Sequence, residues 1–169
     1  METLILPAAE SDAGVMALLY VSSWRSAYTG IVPDDYLKLK LSGAEEKFKH
    51  LLAESPLGHY LILSGGTPAG ILSAGELADQ YELRGLYIHP EFQRCGVGRS
   101  AVEFVFALGR ARGFSRVCVR VLEANTGARR FYRRCGFAES GFAGLYDGRN
   151  DMLCKWMIAD ISGKGKSIA

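Results

Sequence analysis

A chain of 169 residues with 49% hydrophobic composition fits one domain with an ample core, because domains commonly run to about 100–200 residues. Its 20 Lys and Arg against 18 Asp and Glu leave a net charge of +2, too even for the basic face of a nucleic-acid binder. The N-terminus lacks a secretory layout, no apolar run approaches the ~18 residues of a membrane span, and the four cysteines form neither a Cys-x-x-Cys pair nor a zinc spacing. A cytoplasmic chain with reduced thiols and no metal, membrane or nucleic-acid partner is therefore expected.

Residues 4–6 read as a short apolar strand. From Ser11 or Asp12 to about Tyr28, Val15, Met16, Leu18, Leu19, Ser22 and Ala27 build a broad helical face behind an acidic cap. Pro33 opens a second helical turn, and Ser42-Gly43-Ala44-Glu45 looks like a capping box leading to Phe48, Leu51 and Leu52. Residues 60–63 and 69–74 read as a hairpin around the turn Ser64-Gly65-Gly66-Thr67, and residues 81–89 as a further strand ended by Pro90. Beyond a glycine turn, Val97, Ala101, Phe104, Val105 and Leu108 recur at helical spacing until Gly113. Residues 116–122 alternate as a strand, residues 126–134 form a short basic helix stopped by Gly136, and two last strands start at Phe137 and Asp151. Residues 1–160 read as a single domain and residues 161–169 as a flexible tail.

The glycine turn, Gln93-Arg94-Cys95-Gly96-Val97-Gly98-Arg99, places two glycines and two arginines where a loop becomes a helix. Converging backbone N–H groups and the helix dipole suit such a spot to phosphate. A Walker A loop would end in Gly-Lys-[Ser/Thr], which Arg99-Ser100 does not supply. Gly96-Val97-Gly98-Arg99-Ser100-Ala101 fits the loose dinucleotide fingerprint, with Glu123 placed for a ribose. In that fold the strand runs straight into the first glycine, whereas here residues 89–95 intervene and Pro90 forbids continued central pairing.

The stretch from Leu83 through Leu86-Tyr87-Ile88 and Pro90 to Arg99 resembles the acetyl-CoA-binding motif of the GNAT superfamily of N-acetyltransferases: a strand, a proline-bearing loop, then Q/R-x-x-G-x-G/A at a helix N-terminus. A second block, from Asn125 through Ala128 and Tyr132 to Gly136-Phe137, is similar to the family's N-x-x-A-x-x-x-Y-x-x-x-G-F. Trp24 to Pro33 is similar to the stretch many bacterial members carry between their first two helices. The resemblance spans about residues 3–158. It implies a mixed α/β fold, with a central, mostly antiparallel mixed sheet that contains a splayed parallel pair and is flanked by helices. It also implies acetyl-CoA as cosubstrate, direct transfer to an amine-bearing acceptor without an acyl-enzyme, and, since many relatives pair, a homodimer.

The same resemblance implies a role for each site residue. The CoA pyrophosphate would rest on the amides of Gln93, Arg94, Cys95, Gly96, Val97, Gly98 and Arg99, and glycines admit both close approach and positive φ. The pantetheine arm would lie along Leu86, Tyr87 and Ile88 like an added strand, with an N–H near Tyr87 or Ile88 holding the thioester carbonyl and its developing oxyanion. Asn125 would bond the arm while also suiting the N-cap of the adjoining helix. Tyr132 is the candidate acid for the departing thiolate, and Glu82, eleven residues before Gln93, the candidate base, directly or through water. Ribosomal-protein N-terminal acetyltransferases carry a glutamate five residues before the motif asparagine; Arg120 stands there, which argues against an N-terminal peptide acceptor. Glu123, three positions on, falls on the other strand face. Trp24, Tyr28, Tyr146 and Asp147 are candidates for the acceptor pocket. The acceptor stays open among small-molecule amines, amino acids, antibiotics and protein lysines. Two other readings are a CoA-sensing module of the same fold and an NAD(P)-binding oxidoreductase.

Overall fold

Apolar runs form strands β1 (Thr3–Pro7), β2 (His59–Ser64) and β3 (Thr67–Leu77) in the computed structural model, which describes residues 2–55 and 57–163. Gly65 and Gly66, at φ 56° and 82°, make the turn between β2 and β3. Two consecutive left-handed residues match the strand twist across a two-residue loop, so glycine suits both places. β1 and β3 flank β2 antiparallel, with Leu6 opposite Leu61 and Ile71 opposite Leu61. Leu63 faces Pro68 while Ile62 faces Gly70, so Ala69 is an extra residue on β3, a bulge.

Helices α1 (Ala13–Tyr28), α2 (Asp34–Leu41) and α3 (Ala44–Glu54) precede β2. Met16 and Leu19 of α1, Leu52 of α3, Leu61 of β2 and Ile71 of β3 share one buried cluster. Two helix starts differ from the sequence reading. Asp12 spends its carboxylate on the backbone N–H of Ala9 (2.8 Å), closing the 3-10 turn Glu10–Asp12 rather than capping α1. The capping box at Ser42 does not form: Ser42 is already the C-cap of α2, and Gly43, at φ 62°, starts α3 without a side-chain cap. Only these two residues separate the helices, so Gly43, which has no side chain to cap with, takes the N-cap place of α3.

β4 (Gln80–Ile88) comes after β3 through Ala78 and Asp79, and α4 (Val97–Ala111) leads to β5 (Arg116–Leu122), α5 (Thr126–Arg134), β6 (Ala138–Tyr146) and β7 (Arg149–Asp160). The sheet order is β1-β2-β3-β4-β5-β7-β6, with β4 and β5 its parallel pair. Their ladder joins only Tyr81–Val117, Glu82–Cys118 and Leu83–Val119, although β4 continues to Ile88 and β5 to Leu122. β5 pairs antiparallel with β7 along its whole length. The described residues gather into two compact units: those up to Ala74 with Arg84–Val102, and Gly75–Leu83 with those from Glu103 on. Ile161, first residue of the expected tail, is 2% exposed and donates its N–H to Ser115 O; residues 164–169 lie outside the described residues. No helix among the described residues is long and apolar enough to cross a membrane.

Two features of the first unit give checkable consequences. A Cβ at Gly70 would stand 2.6 Å from Tyr87 O and 2.7 Å from Ile88 Cδ1, so Gly70→Ala must displace β4. Overpacking of this kind costs about 1–3 kcal/mol, and thermal melting should show a matching loss of stability. His59 is 8% exposed, with Nδ1 2.6 Å from Ser73 Oγ; burial and then the Arg84 charge lower its pKa from the ordinary 6.5. A histidine held neutral by the fold contributes stability above the unfolded value and loses it as pH falls below 6.5, because the unfolded chain takes up the proton first. Melting of His59→Gln should therefore fall less steeply than the parent's as pH drops through that range.

Candidate functional site

In the first unit, β4 passes into the glycine turn through a set of local bonds. His89 donates its N–H to the bulge carbonyl of Ala69 (2.9 Å), and Pro90–Phe92 then form a 3-10 turn that removes the chain from the sheet. Gln93 ties the loop back, its Nε2 donating to Ile88 O at 3.1 Å. Arg94 and Gly96 both take left-handed backbone, at φ 63° and 86°. For a long side chain at 94 that conformation is uncommon, and such residues gather at ligand-binding turns. Nothing lies within 4 Å of the place a Cβ would occupy at Gly96. Glycine is required there by φ, and the space beside the backbone is open.

Val97, 1% exposed, anchors the first turn of α4 in the core, while Gln93, Arg94, Cys95, Gly96 and Arg99 are exposed or half-buried and Gly98 half-buried. Ser100 N–H to Gly96 O (3.0 Å) is the first helical bond, so the N–H groups of Val97, Gly98 and Arg99 precede any intrahelical acceptor. This is a solvent-facing, positively polarised cradle with an arginine on either side.

Leu86, Tyr87 and Ile88 are half-buried and lie beyond the last rung of the parallel ladder. A cavity of about 530 Å³ opens in this unit, with Gly85 and Tyr87 of β4 in its wall. Of the two pocket candidates in this unit, Trp24 is 1% exposed and stacks on Tyr28 with ring centroids 4.3 Å apart. Tyr20, Lys40, Lys47, Phe48, His59 and Arg84 line the cavity instead, none of them singled out from the sequence as pocket residues. One signal was present: Ala44, Lys47, Phe48 and Leu51 recur at helical spacing.

The second unit holds the proton-transfer candidates. Glu82 sits in the parallel ladder with its side chain 8% exposed, and its Oε1 lies 3.4 Å from Arg120 Nε. Arg120, the departure from the N-terminal-peptide pattern, thus stands as ionic partner to the candidate base, its guanidinium over the Trp156 ring (5.3 Å). Cys118, opposite Glu82, is pushed up to about 11, first by burial and then by the Glu82 charge. It stays a thiol near neutral pH and is no nucleophile. Glu123 pairs with Lys155 at 3.0 Å.

Asn125 caps α5: its Oδ1 accepts from the Ala128 N–H at 3.0 Å, which leaves the amide NH₂ as a donor. Tyr132, 7% exposed, packs edge-on between Phe131 (5.1 Å) and Phe137 (5.4 Å). Arg129 and Arg133 both donate to Glu139 Oε1, fixing α5 to β6; Arg129 foremost holds the Glu139 carboxyl below its ordinary value. Tyr146 and Asp147 belong to the β6–β7 hairpin, where Asp147 (φ 50°) and Gly148 (φ 72°) make the turn.

Comparison with known proteins identifies the family. The family model described as Acetyltransferase (GNAT) family matches residues 20–137. An uncharacterised N-acetyltransferase, YuaI, of Bacillus subtilis is 32% identical over 121 residues, covering 68% of each chain. Another, from Methanocaldococcus jannaschii, is 26% identical over 127 residues, covering 71% of this chain and only 55% of that relative. The PaiA N-acetyltransferase of Thermoplasma acidophilum, solved in complex with coenzyme A, superposes with a TM-score of 0.73 at 20% identity over 95% of this chain and 99% of that one. A strand, a glycine turn opening a helix, and an asparagine-capped helix bearing a tyrosine all fall within the matched residues, and the chain belongs to the acetyltransferase (GNAT) family of acyltransferases.

Proposed function

We propose that this protein transfers the acetyl group of acetyl-CoA directly to a primary amine. The observation that carries the reading is the cradle at residues 93–99, where left-handed Arg94 and Gly96 precede an open helix N-terminus. Backbone N–H groups converging on open space fit a pyrophosphate, and Arg94 and Arg99 add charge at its edge. The coenzyme complex of the Thermoplasma relative supports the same ligand class. Acetyl-CoA supplies the acetyl group as a thioester.

The chain's own residues then take separate tasks. The half-buried backbone at Leu86–Ile88 offers strand N–H groups to the pantetheine arm, and an N–H near Tyr87 or Ile88 stabilises negative charge developing on the thioester oxygen. Asn125 adds a bond from the amide NH₂ that its capping role leaves over. Glu82 accepts the acceptor's ammonium proton through water, since its side chain is almost wholly buried. The free amine attacks the thioester carbon, the tetrahedral intermediate collapses with C–S cleavage, Tyr132 donates a proton to the departing sulfur, and the N–H proton shed by the new amide restores the Tyr132 hydroxyl through solvent. The transfer is direct, with no acyl-enzyme between the thioester and the amine.

Three measurements test this. Acetyl-CoA at a hundred times its Kd should stabilise the protein by about 2.7 kcal/mol. Gly96→Val should abolish most of that thermal shift; an equal shift in the variant would place the coenzyme elsewhere. Tyr132→Phe should lower kcat by about a hundredfold with little change in the acetyl-CoA KM, and Glu82→Gln by a similar factor, most strongly at low pH, where the amine holds its proton. If acetyl-CoA binds but no amine releases thiol, the protein is a coenzyme-sensing module of the same fold.

A further inference from the structure

We propose that His59 is a specificity residue of the cavity beside β4, its second ring nitrogen receiving a hydroxyl group carried on the apolar body of the acceptor amine. This rests on the acetyltransferase reading, which puts the thioester at residues 86–88 of the strand whose Gly85 and Tyr87 line the cavity. The cavity's volume of about 530 Å³ lies in the range of small-molecule sites.

Much of the wall offers no side-chain hydrogen bond. Ala44, Phe48 and Leu51 of α3 and Ile71 and Leu72 of β3 are apolar, and the Tyr20 ring meets Phe48 at 5.6 Å and Tyr87 at 5.1 Å, both edge-on. The cations of the wall are already engaged. Lys47 Nζ donates to the carbonyls of Leu39 (3.1 Å) and Lys40 (3.4 Å). Lys40 Nζ lies over the rings of Trp24 and Tyr36, and both Lys40 and Arg84 make further interactions.

His59 is different. It stands opposite Ser73 in the β2–β3 ladder, is 8% exposed, and has its Nδ1 2.6 Å from Ser73 Oγ. That bond fixes the ring, because paired strands hold both residues. Its Nε2 has no hydrogen-bond partner among the described residues. Neither is it one of their buried unpaired polar atoms, which are Ser23 Oγ, Trp24 Nε1 and Gln80 Oε1. Nε2 therefore reaches open space, and the open space that His59 lines is the cavity. A fixed polar group in a largely apolar wall is what orients a ligand.

The chemistry of the ring selects the group it meets. Burial, and then the Arg84 charge, lower the His59 pKa from the ordinary 6.5, so at neutral pH the ring is uncharged. A neutral imidazole has one donor and one acceptor nitrogen. Either Nδ1–H donates to Ser73 Oγ and Nε2 accepts, or the Ser73 hydroxyl donates to Nδ1 and Nε2–H donates. A hydroxyl both donates and accepts, so it satisfies Nε2 in either arrangement; an ammonium serves only the first and a carboxylate only the second. An acceptor amine without such a group would displace water from Nε2 and leave that nitrogen unmet.

The test uses the purified full chain, acetyl-CoA and thiol release with amines matched in shape: tyramine against phenethylamine, and aminopentanol, with its hydroxyl terminal, against pentylamine. An unmet polar group lowers affinity by about fivefold to a hundredfold, so the hydroxylated member of at least one pair should lead in kcat/KM by about that factor. His59→Leu should bring that ratio to about one, and His59→Gln, which keeps a donor and an acceptor, should retain part of it. Equal rates within both pairs, a ratio that survives in His59→Leu, or a variant that slows both members alike would overturn the proposal. Should His59→Leu not fold, His59→Gln decides, and a ratio unchanged from the parent's overturns it. Binding of tyramine and phenethylamine is measured in parallel by calorimetry. If no amine turns over yet tyramine binds more tightly in a His59-dependent way, the hydroxyl site stands and the acetyltransferase reading fails. If amines turn over with no hydroxyl preference, that reading stands and the site fails; if neither turnover nor a binding preference occurs, both fail.

Discussion

The missing side chain at Gly70 is the constraint on which the candidate residues of the first unit depend. With no Cβ there, β3 approaches the Tyr87 carbonyl and Ile88 more closely than any other residue would permit. The bulge at Ala69 works alongside it: the extra residue turns its carbonyl to the His89 N–H, and β4 ends there. Pro90 then removes a donor that continued pairing would need, and the chain leaves the sheet for the turn that opens α4. Each of these is a backbone effect. The turn at residues 93–99 is therefore placed by where β4 is forced to stop, and its solvent-facing residues take no part in placing it.

In the second unit the controlling constraint is charge. Glu82 is almost fully buried within the ladder, a position that an isolated carboxylate could hold only at heavy desolvation cost. Arg120 meets it from β5 and is itself supported by the face of Trp156 on β7. The residue that departs from the N-terminal-peptide pattern is thus an ionic partner of the buried Glu82. An acid in place of Arg120 would set a second negative charge beside the buried Glu82.

The parts of the fold legible in the sequence were those with a strong local signal at both ends. Strand β5 and helix α5 match their expected bounds because alternation in Arg116–Leu122 gives way at Asn125, a residue that caps α5 with its own side chain, and Gly136 at φ 99° turns the chain out of that helix. The failures came where one residue had two plausible uses. Asp12 could cap α1 or close the turn before it, and it does the second because its own backbone (φ −86°, ψ −6°) is helical rather than extended. Ser42 carried a cap signature that the end of α2 had already consumed. Trp24, named with Tyr28 as a candidate for the acceptor pocket, is a helix aromatic of the kind that is more often core, and it is 1% exposed.

Charge in the cavity was illegible for a different reason. Lys40, Lys47 and Arg84 come from α2, α3 and β4, and nothing in their spacing announces that they meet one space. A net charge of +2 averages them away against acids that lie elsewhere. Specificity depends on the local potential, since attraction between charges falls with distance and is screened by salt beyond about 10 Å in solution. Whole-chain charge therefore leaves undecided which acceptor the cavity prefers. What matters locally is which face of α3 each side chain occupies: Lys47 lines the cavity with Ala44, Phe48 and Leu51, whereas Glu45 and Glu46 pair with Lys49.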